Sequence, residues 1–431
     1  MMNYELIAYA FPKPPSVLEK AITSGDIDVV LSKGICEPKL EYGFYYFMHQ
    51  SKAKTSILSE PRYKHKYHIT NAFEHSVPDY DQDITKISEQ YFSLKQNGII
   101  SRAFYKLWEI IMLFDLIPES GPIRTAHLAE APGGFIQAVA LYRQKFFKAA
   151  DVNKDTYHTI SLKPKGSKSI PNFKNTMLEK IKQITICDIE DCNIMRMSVQ
   201  KKLAQETDNV HFITADGGFE WRDENYQEQE AYKLLLGEIL SAVRLQGKGG
   251  SFVLKIFDTF TDVTVKIMSL LACFYDQVHI YKPLTSRPSN SEKYIVCTNF
   301  KGISKKEIDN LEKLIDNMIA SDMNVVDIFT RMTVEGDIKL MNQAMCIQYG
   351  NEQFKSINTM MTYIHNGIFF GDEYHKFLEA QKKANEFWIS TFYPLNTSNL
   401  KQIKIKLKGV LKEALGASAG RISMLKSKMV Y

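Results

Sequence analysis

Short apolar segments alternate with amphipathic ones between residues 97 and 300, and this alternation constrains the fold more than any other feature of the chain. Seven segments have the pattern of buried strands: 125–130, 157–162, 184–188, 210–215, 251–257, 278–283 and 293–298. Helical patterns occur at 101–114, 134–146, 226–245 and 262–275. Buried strands that alternate with helices predict an α/β fold, a doubly wound sheet covered on both faces. Such sheets bind ligands at the carboxyl ends of their strands, so a site is expected there.

The sequence pattern divides the chain into three parts. Residues 1–96 are predicted to form an N-terminal extension or small domain, and they carry aromatic clusters at 42–47 and 62–68. Residues 97–302 form the predicted α/β domain. Residues 303–431 show helical periodicity over much of their length and are predicted to form a mostly helical, basic C-terminal region.

The C-terminal tail is strongly basic. From residue 401 onward a single acid, Glu413, stands against eight cations: Lys401, Lys404, Lys406, Lys408, Lys412, Arg421, Lys426 and Lys428. A charge run of this kind indicates either a solvated helical face or a surface that contacts an RNA backbone or a partner protein. The sequence leaves both alternatives open.

Composition narrows the functional classes. The net charge of +5 permits a nucleic-acid partner without requiring one. The six cysteines include no CxxC pair and no cluster with histidine at zinc spacing, which predicts reduced thiols and no metal site. The sequence shows no signal peptide and no apolar run long enough to cross a bilayer. We therefore expect a soluble intracellular protein, cytoplasmic or nuclear, with no membrane partner.

The most specific motif is HLAEAPGGF, from His127 to Phe135. A predicted strand ends at Glu130 and a predicted helix begins near Gly134. Glycines allow the backbone to approach a ligand, and the helix start offers unpaired N–H groups. A tight strand-to-helix turn without a ligand would have the same local pattern.

Two further positions combine a strand with a charge. Asp216 follows the strand at 210–215 and precedes two glycines, so its carboxylate either caps the turn or faces a ligand. Lys255 interrupts an apolar strand, where an ammonium group is costly unless it is paired. Lys255 either pairs with a core carboxylate or is partly shielded from water so that its pKa is shifted.

Two less distinctive segments complete the set. Lys106 lies on a plain amphipathic helix with the sequence SRAFYKL. Glu292 precedes the strand at 293–298 and ends a polar loop that also contains Arg287, Ser289 and Ser291. Neither segment predicts a function by itself.

Taken in order, the segments SRAFYKL, AEAPGGF, ADGGFE, GGSFVLKIFD and TSRPSNSEKYIV resemble the FtsJ/RrmJ-like RNA 2'-O-methyltransferase family. The last three are most similar to eukaryotic and large-DNA-virus cap-specific mRNA (nucleoside-2'-O-)-methyltransferases. The resemblance covers roughly 97–300. It implies a Rossmann-like methyltransferase sheet, S-adenosyl-L-methionine as cofactor, and a catalytic tetrad of Lys106, Asp216, Lys255 and Glu292.

The resemblance also implies binding residues. The cofactor would contact Glu130, Ala131, Pro132, Gly133, Gly134, Asp188 and Asp216, and the substrate would contact Arg287, Ser289 and Ser291. The segment Cys187-Asp188-Ile189 resembles the family's Gly-Asp-Ile segment, which contacts the cofactor adenine, with Cys187 in place of the glycine. Many family members have an acid after the second strand for the cofactor ribose, and residues 159–164 contain none.

The residue types fit the expected reaction. A ribose hydroxyl must lose its proton as it attacks the methyl group, and a lysine accepts a proton only when neutral. This requires a pKa about 2–3 units below the usual lysine value of about 10.4. We expect Lys255 to be the base, with Lys106 as a second cation that lowers its pKa. Asp216 and Glu292 would orient the lysines and the sugar, although carboxylates act on the lysine pKa in the opposite direction.

The expected substrate is the capped 5' end of mRNA, methylated at the cap-proximal ribose. Aromatic residues at 42–47 and 63–67, together with Trp221, are candidates for stacking on the cap purine. Other capping or transcription proteins are possible partners. The alternatives are 2'-O-methylation of ribosomal or other structured RNA, or a catalytically silent RNA-binding subunit of a capping complex. The abundance of Lys, Ile and Asn suits an AT-rich genome, such as that of a large DNA virus or a protist.

Overall fold

The computed structural model describes residues 4–38, 42–63, 71–73, 84–95, 98–163, 171–179, 181, 183–218 and 221–428. Within these ranges the strands are β1 Ala8–Ala10, β2 Val29–Ser32, β3 Arg124–Leu128, β4 Thr156–Ile160, β5 Ile184–Ile186, β6 Val210–Ala215, β7 Gln246–Ile256, β8 Tyr275–Tyr281, β9 Lys293–Phe300 and β10 Asn324–Ile328.

The helices of the first half are α1 Ser16–Ser24, α2 Tyr42–Ala53, α3 Ile84–Tyr91, α4 Ala103–Phe114, α5 Gly134–Phe146, α6 Ala149–Val152, α7 Asn175–Leu178 and α8 Met197–Glu206. Those of the second half are α9 Gln227–Glu230, α10 Tyr232–Leu245, α11 Asp262–Phe274, α12 Lys305–Ile319, α13 Gly336–Asn366, α14 Gly371–Phe392 and α15 Thr397–Lys428. Short 3-10 helices occupy Lys54–Ser59 and Glu224–Tyr226.

The main sheet has eight strands in the order β1-β8-β9-β7-β6-β3-β4-β5. Strands β3 to β7 are parallel, and β9 lies antiparallel between β7 and β8. Helices pack on both faces of the sheet, and the chain after β10 is helical. The predicted fold class, a doubly wound α/β sheet with a mostly helical C-terminal region, is confirmed.

The topology brings four chain segments to one edge of the sheet. The last residues of β3 and β6 are neighbours in register with Leu254 near the end of β7, since Leu128 pairs with Ala215 and Ala215 with Leu254. Strand β9 runs the opposite way, so its first residue, Lys293, pairs with Ile256 near the same edge. The segments that follow β3, β6 and β7 and the segment that precedes β9 therefore meet.

All seven strands predicted from sequence are present: β6 has its predicted bounds, and the ends of the others differ by a few residues. Strands β1, β2 and β10 were not predicted, nor were helices α1, α2, α3, α6, α7, α8 and α13. The three strands are three to five residues long, and each pairs with a partner that is remote in sequence: β1 with β8, and β2 with β10. Segments this short carry too little periodicity to be recognised in isolation.

Both flanks contribute to the two hydrophobic cores. On one face of the sheet, α1, α12 and α13 pack beside α8, α10 and α11. On the other face, α14 and α15 pack against α4 and α5. Both faces of the sheet are thus covered in part by segments outside residues 97–302.

The basic tail forms α15, and several of its cations pair with acids of the protein body. Lys404 is buried and forms an ion pair with Asp115, which also accepts from Lys408 at 3.1 Å. Arg421 pairs with Glu5 at 3.0 Å, and Lys426 pairs with an acid on α13. Part of the basic charge therefore anchors the helix. No described helix is long and apolar enough to cross a membrane.

Candidate active site

The loop between β3 and α5 forms a tight turn beneath the start of α5. Gly133 has a φ of 111°, a backbone conformation that favours glycine. A Cβ on Gly134 would lie 2.3 Å from Ser101 Oγ, so only glycine fits there. The sequence AEAPGGF therefore has a physical reason at both glycines.

Glu130 lies buried at the base of this turn. Its Oε1 accepts a hydrogen bond from Phe135 N at 2.5 Å. Its Oε2 is buried without a hydrogen-bond partner among the residues that the structure describes. Burial raises the pKa of Glu130 well above its usual value, and the nearby charge of Asp216 adds to this rise. An unpaired buried carboxyl oxygen is a candidate acceptor for a ligand donor.

Asp216 and Lys255 form an ion pair at the ends of β6 and β7. Lys255 Nζ is 3.2 Å from Asp216 Oδ1 and donates to the backbone oxygen of Asp216 at 2.8 Å. Tyr294, on β9, donates its hydroxyl to Asp216 Oδ1 at 3.2 Å. The carboxylate is thereby fixed by two side chains from neighbouring strands.

Lys106 and Glu292 form a second ion pair beside the first. Lys106 Nζ, from the start of α4, is 2.6 Å from Glu292 Oε1. Ser286 donates its hydroxyl to the same oxygen at 2.9 Å. Lys255 and Glu292 also interact electrostatically, so the four residues named from sequence form one charge network.

Comparison with known proteins identifies a matching family. The FtsJ-like methyltransferase family model matches residues 99–300, which contain both ion pairs and the turn after β3. This part of the chain is similar to FtsJ-like methyltransferases. The recognition made from sequence is confirmed.

Similar proteins extend the match beyond the FtsJ-like domain. Cap-specific mRNA (nucleoside-2'-O-)-methyltransferase 2 is 27% identical over 78% of this chain and 47% of its own length in Danio rerio. The same-named mouse protein is 34% identical over 47% of this chain and 28% of its length. An uncharacterized protein of Acanthamoeba polyphaga mimivirus is 28% identical over 85% of this chain and 47% of its own length. This chain thus spans less than half the length of these relatives.

The solved structures that resemble the chain include a protein described as a ribosomal RNA methyltransferase of Plasmodium falciparum. It is 20% identical, with a TM-score of 0.35, and the match covers 47% of this chain and 100% of that one.

The charge state of Lys255 in the FtsJ-like domain differs from what its expected role requires. Burial lowers the pKa of Lys255, but the Asp216 and Glu292 carboxylates outweigh burial and raise the pKa above its ordinary value. Burial opposes ionisation of Glu292, yet Lys106 and Lys255 hold its pKa far below the usual range. The four groups are therefore two charged pairs in the ligand-free protein.

Sequence reasoning missed a buried carboxyl group behind Asp216. Glu238, on α10, accepts from Gly217 N at 3.2 Å through its Oε1. A Cβ on Gly217 would lie 2.2 Å from this oxygen, so a larger residue there would displace the Glu238 side chain. Burial raises the pKa of Glu238 to about 8. The signal was present, since Glu238 interrupts the apolar run LLLGEIL on a buried helix.

Sequence reasoning also missed Lys282, which ties the two ends of the loop before β9. Its Nζ donates to Asn290 O at 2.8 Å, to Asn290 Oδ1 at 2.9 Å and to Glu292 O at 2.7 Å. Burial lowers the pKa of Lys282 to about 7, and Lys293 and Lys106 also act to lower it. A lysine that directly follows a buried strand was the available signal.

The predicted substrate residues separate into two groups. Arg287 and Ser289 line a cavity of about 870 Å³, together with Lys52, Ala53 and Arg222 among others. Ser291 is buried and lines a different, much smaller space.

Asp188 lies at the carboxyl end of β5 and is largely exposed. It forms an ion pair with Lys163, which follows β4 at the position where many family members have an acid. The edge near β4 and β5 therefore carries a paired lysine and aspartate.

Several aromatic candidates for cap stacking pack into the protein. Tyr45 packs edge-on against Phe260 at 5.4 Å, and Trp221 packs against Phe257 at 4.9 Å. Tyr42 and Tyr46 are exposed. Residues 64–67 lie outside the described residues. Among the described residues, no cluster of His, Cys, Asp and Glu could hold a metal ion.

Proposed function

We propose that the FtsJ-like domain binds S-adenosyl-L-methionine and transfers its methyl group to a ribose 2'-hydroxyl of RNA. The observation that carries this proposal is the convergence of two lysine–carboxylate pairs, Lys255–Asp216 and Lys106–Glu292, at the edge of the sheet that also carries the Glu130 turn. Cations of this type can lower the energy of a developing alkoxide, while the carboxylates fix the lysines in position.

The turn after β3 fits the methionine part of the cofactor. The unpaired, buried Oε2 of Glu130 can accept from the ammonium group, while Phe135 N in the first turn of α5 already donates to Glu130 Oε1. Ala131, Pro132, Gly133 and Gly134 would form the floor, and Asp216 and Asp188 would hold more distant parts. When bound, the cofactor would supply a methyl group attached to a sulfonium sulfur. The bond between the methyl carbon and sulfur would break as the ribose oxygen attacks the methyl group.

Lys255 is the group that we assign to the 2'-oxygen. Gly218 borders the approach to Lys255, because a Cβ at this position would be in van der Waals contact with Nζ at 3.5 Å. The 2'-hydroxyl would transfer its proton to Nζ as the new O–C bond forms. Lys255 must first lose the proton that Asp216 and Glu292 stabilise in the ligand-free protein. A positive sulfonium nearby and the exclusion of water both favour this loss.

Lys106, Asp216 and Glu292 position the reacting groups in this proposal. Asp216 forms an ion pair with Lys255 and fixes its ammonium group beside the turn that follows β6. Glu292 forms an ion pair with Lys106 and fixes the second ammonium group. Two fixed ion pairs limit the freedom of both ammonium groups, so little reorganisation is needed when the ribose arrives.

The finer proposal is that the substrate is the capped 5' end of mRNA, modified at the cap-proximal nucleotide. Curated relatives carry cap-specific names, and one similar protein is viral. The cavity of about 870 Å³ beside Arg287 and Ser289 is large enough for nucleotides. Other capping proteins are the partners that this substrate implies. Structured RNA, or a silent RNA-binding subunit, is the alternative that the following experiment distinguishes.

The experiment offers radiolabelled cofactor with four RNAs: uncapped, Gppp-capped, N7-methylated capped and structured ribosomal fragments. We expect label on capped RNA, its loss in Lys255→Met, and its retention in Lys248→Met, which removes an exposed lysine from the same strand. Label on structured RNA alone would overturn the cap assignment. Cofactor binding without transfer to any RNA would favour the silent subunit.

A further inference from the structure

Helix α2 presents an aromatic face to solvent. Tyr42 and Tyr46 are each 59% exposed. Successive residues of an α-helix are rotated by roughly 100°, so Tyr42, Tyr46 and Ala53 lie within about 40° of one another around the helix axis. The two tyrosines and Ala53 therefore share one face of α2.

This face continues the wall of a cavity that the loop before β9 also lines. Ala53 lines the cavity of about 870 Å³, and Arg222 and Arg287 line it as well. Arg222 follows the Asp216 turn, and Arg287 belongs to the loop that ends at Glu292. A chain that leaves this cavity along α2 would pass over Tyr46 and then Tyr42.

An adjacent side of α2, about 90° around the helix axis from this face, is fixed to the protein. Lys52 forms a buried ion pair with Asp258, three residues after Lys255. Tyr45 packs against Phe260 in the same segment. The exposed tyrosines are thus carried by a helix that is anchored close to the reacting groups.

We infer that the Tyr42–Tyr46 face of α2 is a stacking platform for single-stranded RNA that extends from the nucleotides held in the cavity. This inference rests on the proposed function and adds a second contact region to it. Single strands bind where aromatic rings stack on bases beside a positively charged groove. The cavity lining provides Arg222 and Arg287, and Lys54 is exposed at the adjoining 3-10 helix.

The geometry favours a strand over a cap or a protein partner. A cap purine is held best between rings on both of its faces, whereas Tyr42 and Tyr46 lie one turn apart on a single helix and are both largely exposed. The neighbouring cavity is lined largely by polar and charged side chains, among them Arg222 and Arg287, which suits a phosphate backbone better than the apolar core of a protein interface.

The test compares KM for a capped dinucleotide with KM for a capped RNA of about ten nucleotides, a length within the range that single-strand sites cover. In the wild-type protein we expect the longer RNA to have a KM at least about tenfold lower, since each stacked base contributes measurably. The double variant Tyr42→Ala/Tyr46→Ala should bring this ratio close to one. Tyr42→Phe/Tyr46→Phe should keep it, because phenylalanine also stacks.

A matched control is Phe370→Ala, which removes an aromatic side chain that is 82% exposed at the turn before α14. Its KM ratio should equal that of the wild type. An unchanged ratio in the double alanine variant, or a wild-type ratio near one, would overturn the platform.

A binding measurement separates this inference from the proposed function. RNA that carries 2-aminopurine at successive positions beyond the cap reports stacking through fluorescence quenching. Quenching that depends on Tyr42 and Tyr46, without any methyl transfer, would refute the proposed reaction and leave the platform intact. Methyl transfer with no position quenched would refute the platform alone.

Discussion

Lys106 Nζ lies 2.6 Å from Glu292 Oε1, which joins the start of α4 to the residue that precedes β9. The two side chains are 15% and 13% exposed. The two residues lie near opposite ends of the α/β domain in sequence. They can therefore meet only when the domain is folded.

The first prediction concerns this ion pair. Lys106→Met leaves the Glu292 carboxylate partly buried without its nearest cation, so unfolding should require a few kcal/mol less, somewhat below the roughly 3–5 kcal/mol typical of a fully buried pair. Methyl transfer should fall about 10²–10³-fold. Urea denaturation of Lys106→Met, Glu292→Gln and the double variant gives the coupling energy, which we expect at about 0.5–3 kcal/mol. A coupling energy of zero would show that the pair does not act as a unit.

The second prediction concerns the pH dependence of the reaction. The carboxylates of Asp216 and Glu292 raise the pKa of Lys255, so only a small fraction of the lysine is neutral near pH 7. Below a pKa the neutral fraction rises about tenfold for each pH unit. We expect kcat/KM to rise with pH between about 7 and 9. A flat profile over this interval, with chemistry shown to limit the rate, would exclude Lys255 as the base.

The third prediction concerns Glu238. Its pKa is raised to about 8 by burial, so at pH 7 the folded protein holds it neutral while the unfolded chain ionises it. The unfolded state then binds fewer protons, and this group makes stability fall as pH rises from about 4.5 to about 8. The Glu238→Gln variant should fold and still accept a hydrogen bond from Gly217 N. Its stability, measured by thermal unfolding from about pH 4.5 to about pH 8, should fall less than that of the wild type.

Glu238→Ala provides the contrast. It leaves Gly217 N unpaired, at a cost of about 1–3 kcal/mol, and releases the turn that holds Asp216. We expect a loss of methyl transfer in the alanine variant that the glutamine variant does not show. Equal activities in the two variants would mean that the Gly217 contact does not position the turn.

The fourth prediction concerns Lys282 as a positioning residue. Lys282→Met removes three donated hydrogen bonds that hold Asn290 and Glu292. The loop that carries Arg287 should become less ordered, which raises KM for RNA while the dissociation constant of the cofactor stays the same. Isothermal titration with the cofactor and steady-state kinetics with RNA separate the two. A higher dissociation constant for the cofactor together with an unchanged KM for RNA would assign Lys282 to another role.

Much of the fold could be predicted from the sequence because long buried strands and amphipathic helices carry their own periodicity. Strand β6 was predicted with its exact bounds, at 210–215, and α5 likewise at 134–146. Strand β1 could not be predicted, since its three residues are recognisable as a strand only when paired with β8. Contacts that depend on tertiary pairing leave little trace in local sequence.

The candidate site divides in the same way. Lys106, Asp216, Lys255 and Glu292 were named from motifs, and the structure brings them together, while their catalytic roles and those of the binding residues stay predictions. Glu238 and Lys282 each leave a signal in the sequence, but their contacts with the Gly217 turn and with the loop before β9 are known only from the fold. The raised pKa of Lys255 likewise depends on the distance to Asp216, which no motif contains.

The most direct test of the central claim is to locate the methyl group. Capped RNA incubated with cofactor and protein is digested with nuclease, and the products are analysed by mass spectrometry. We predict one added methyl on the ribose of the cap-proximal nucleotide, which is absent from Lys255→Met and present in Lys248→Met. A methyl group on a base, or on a ribose elsewhere in the RNA, would contradict the account.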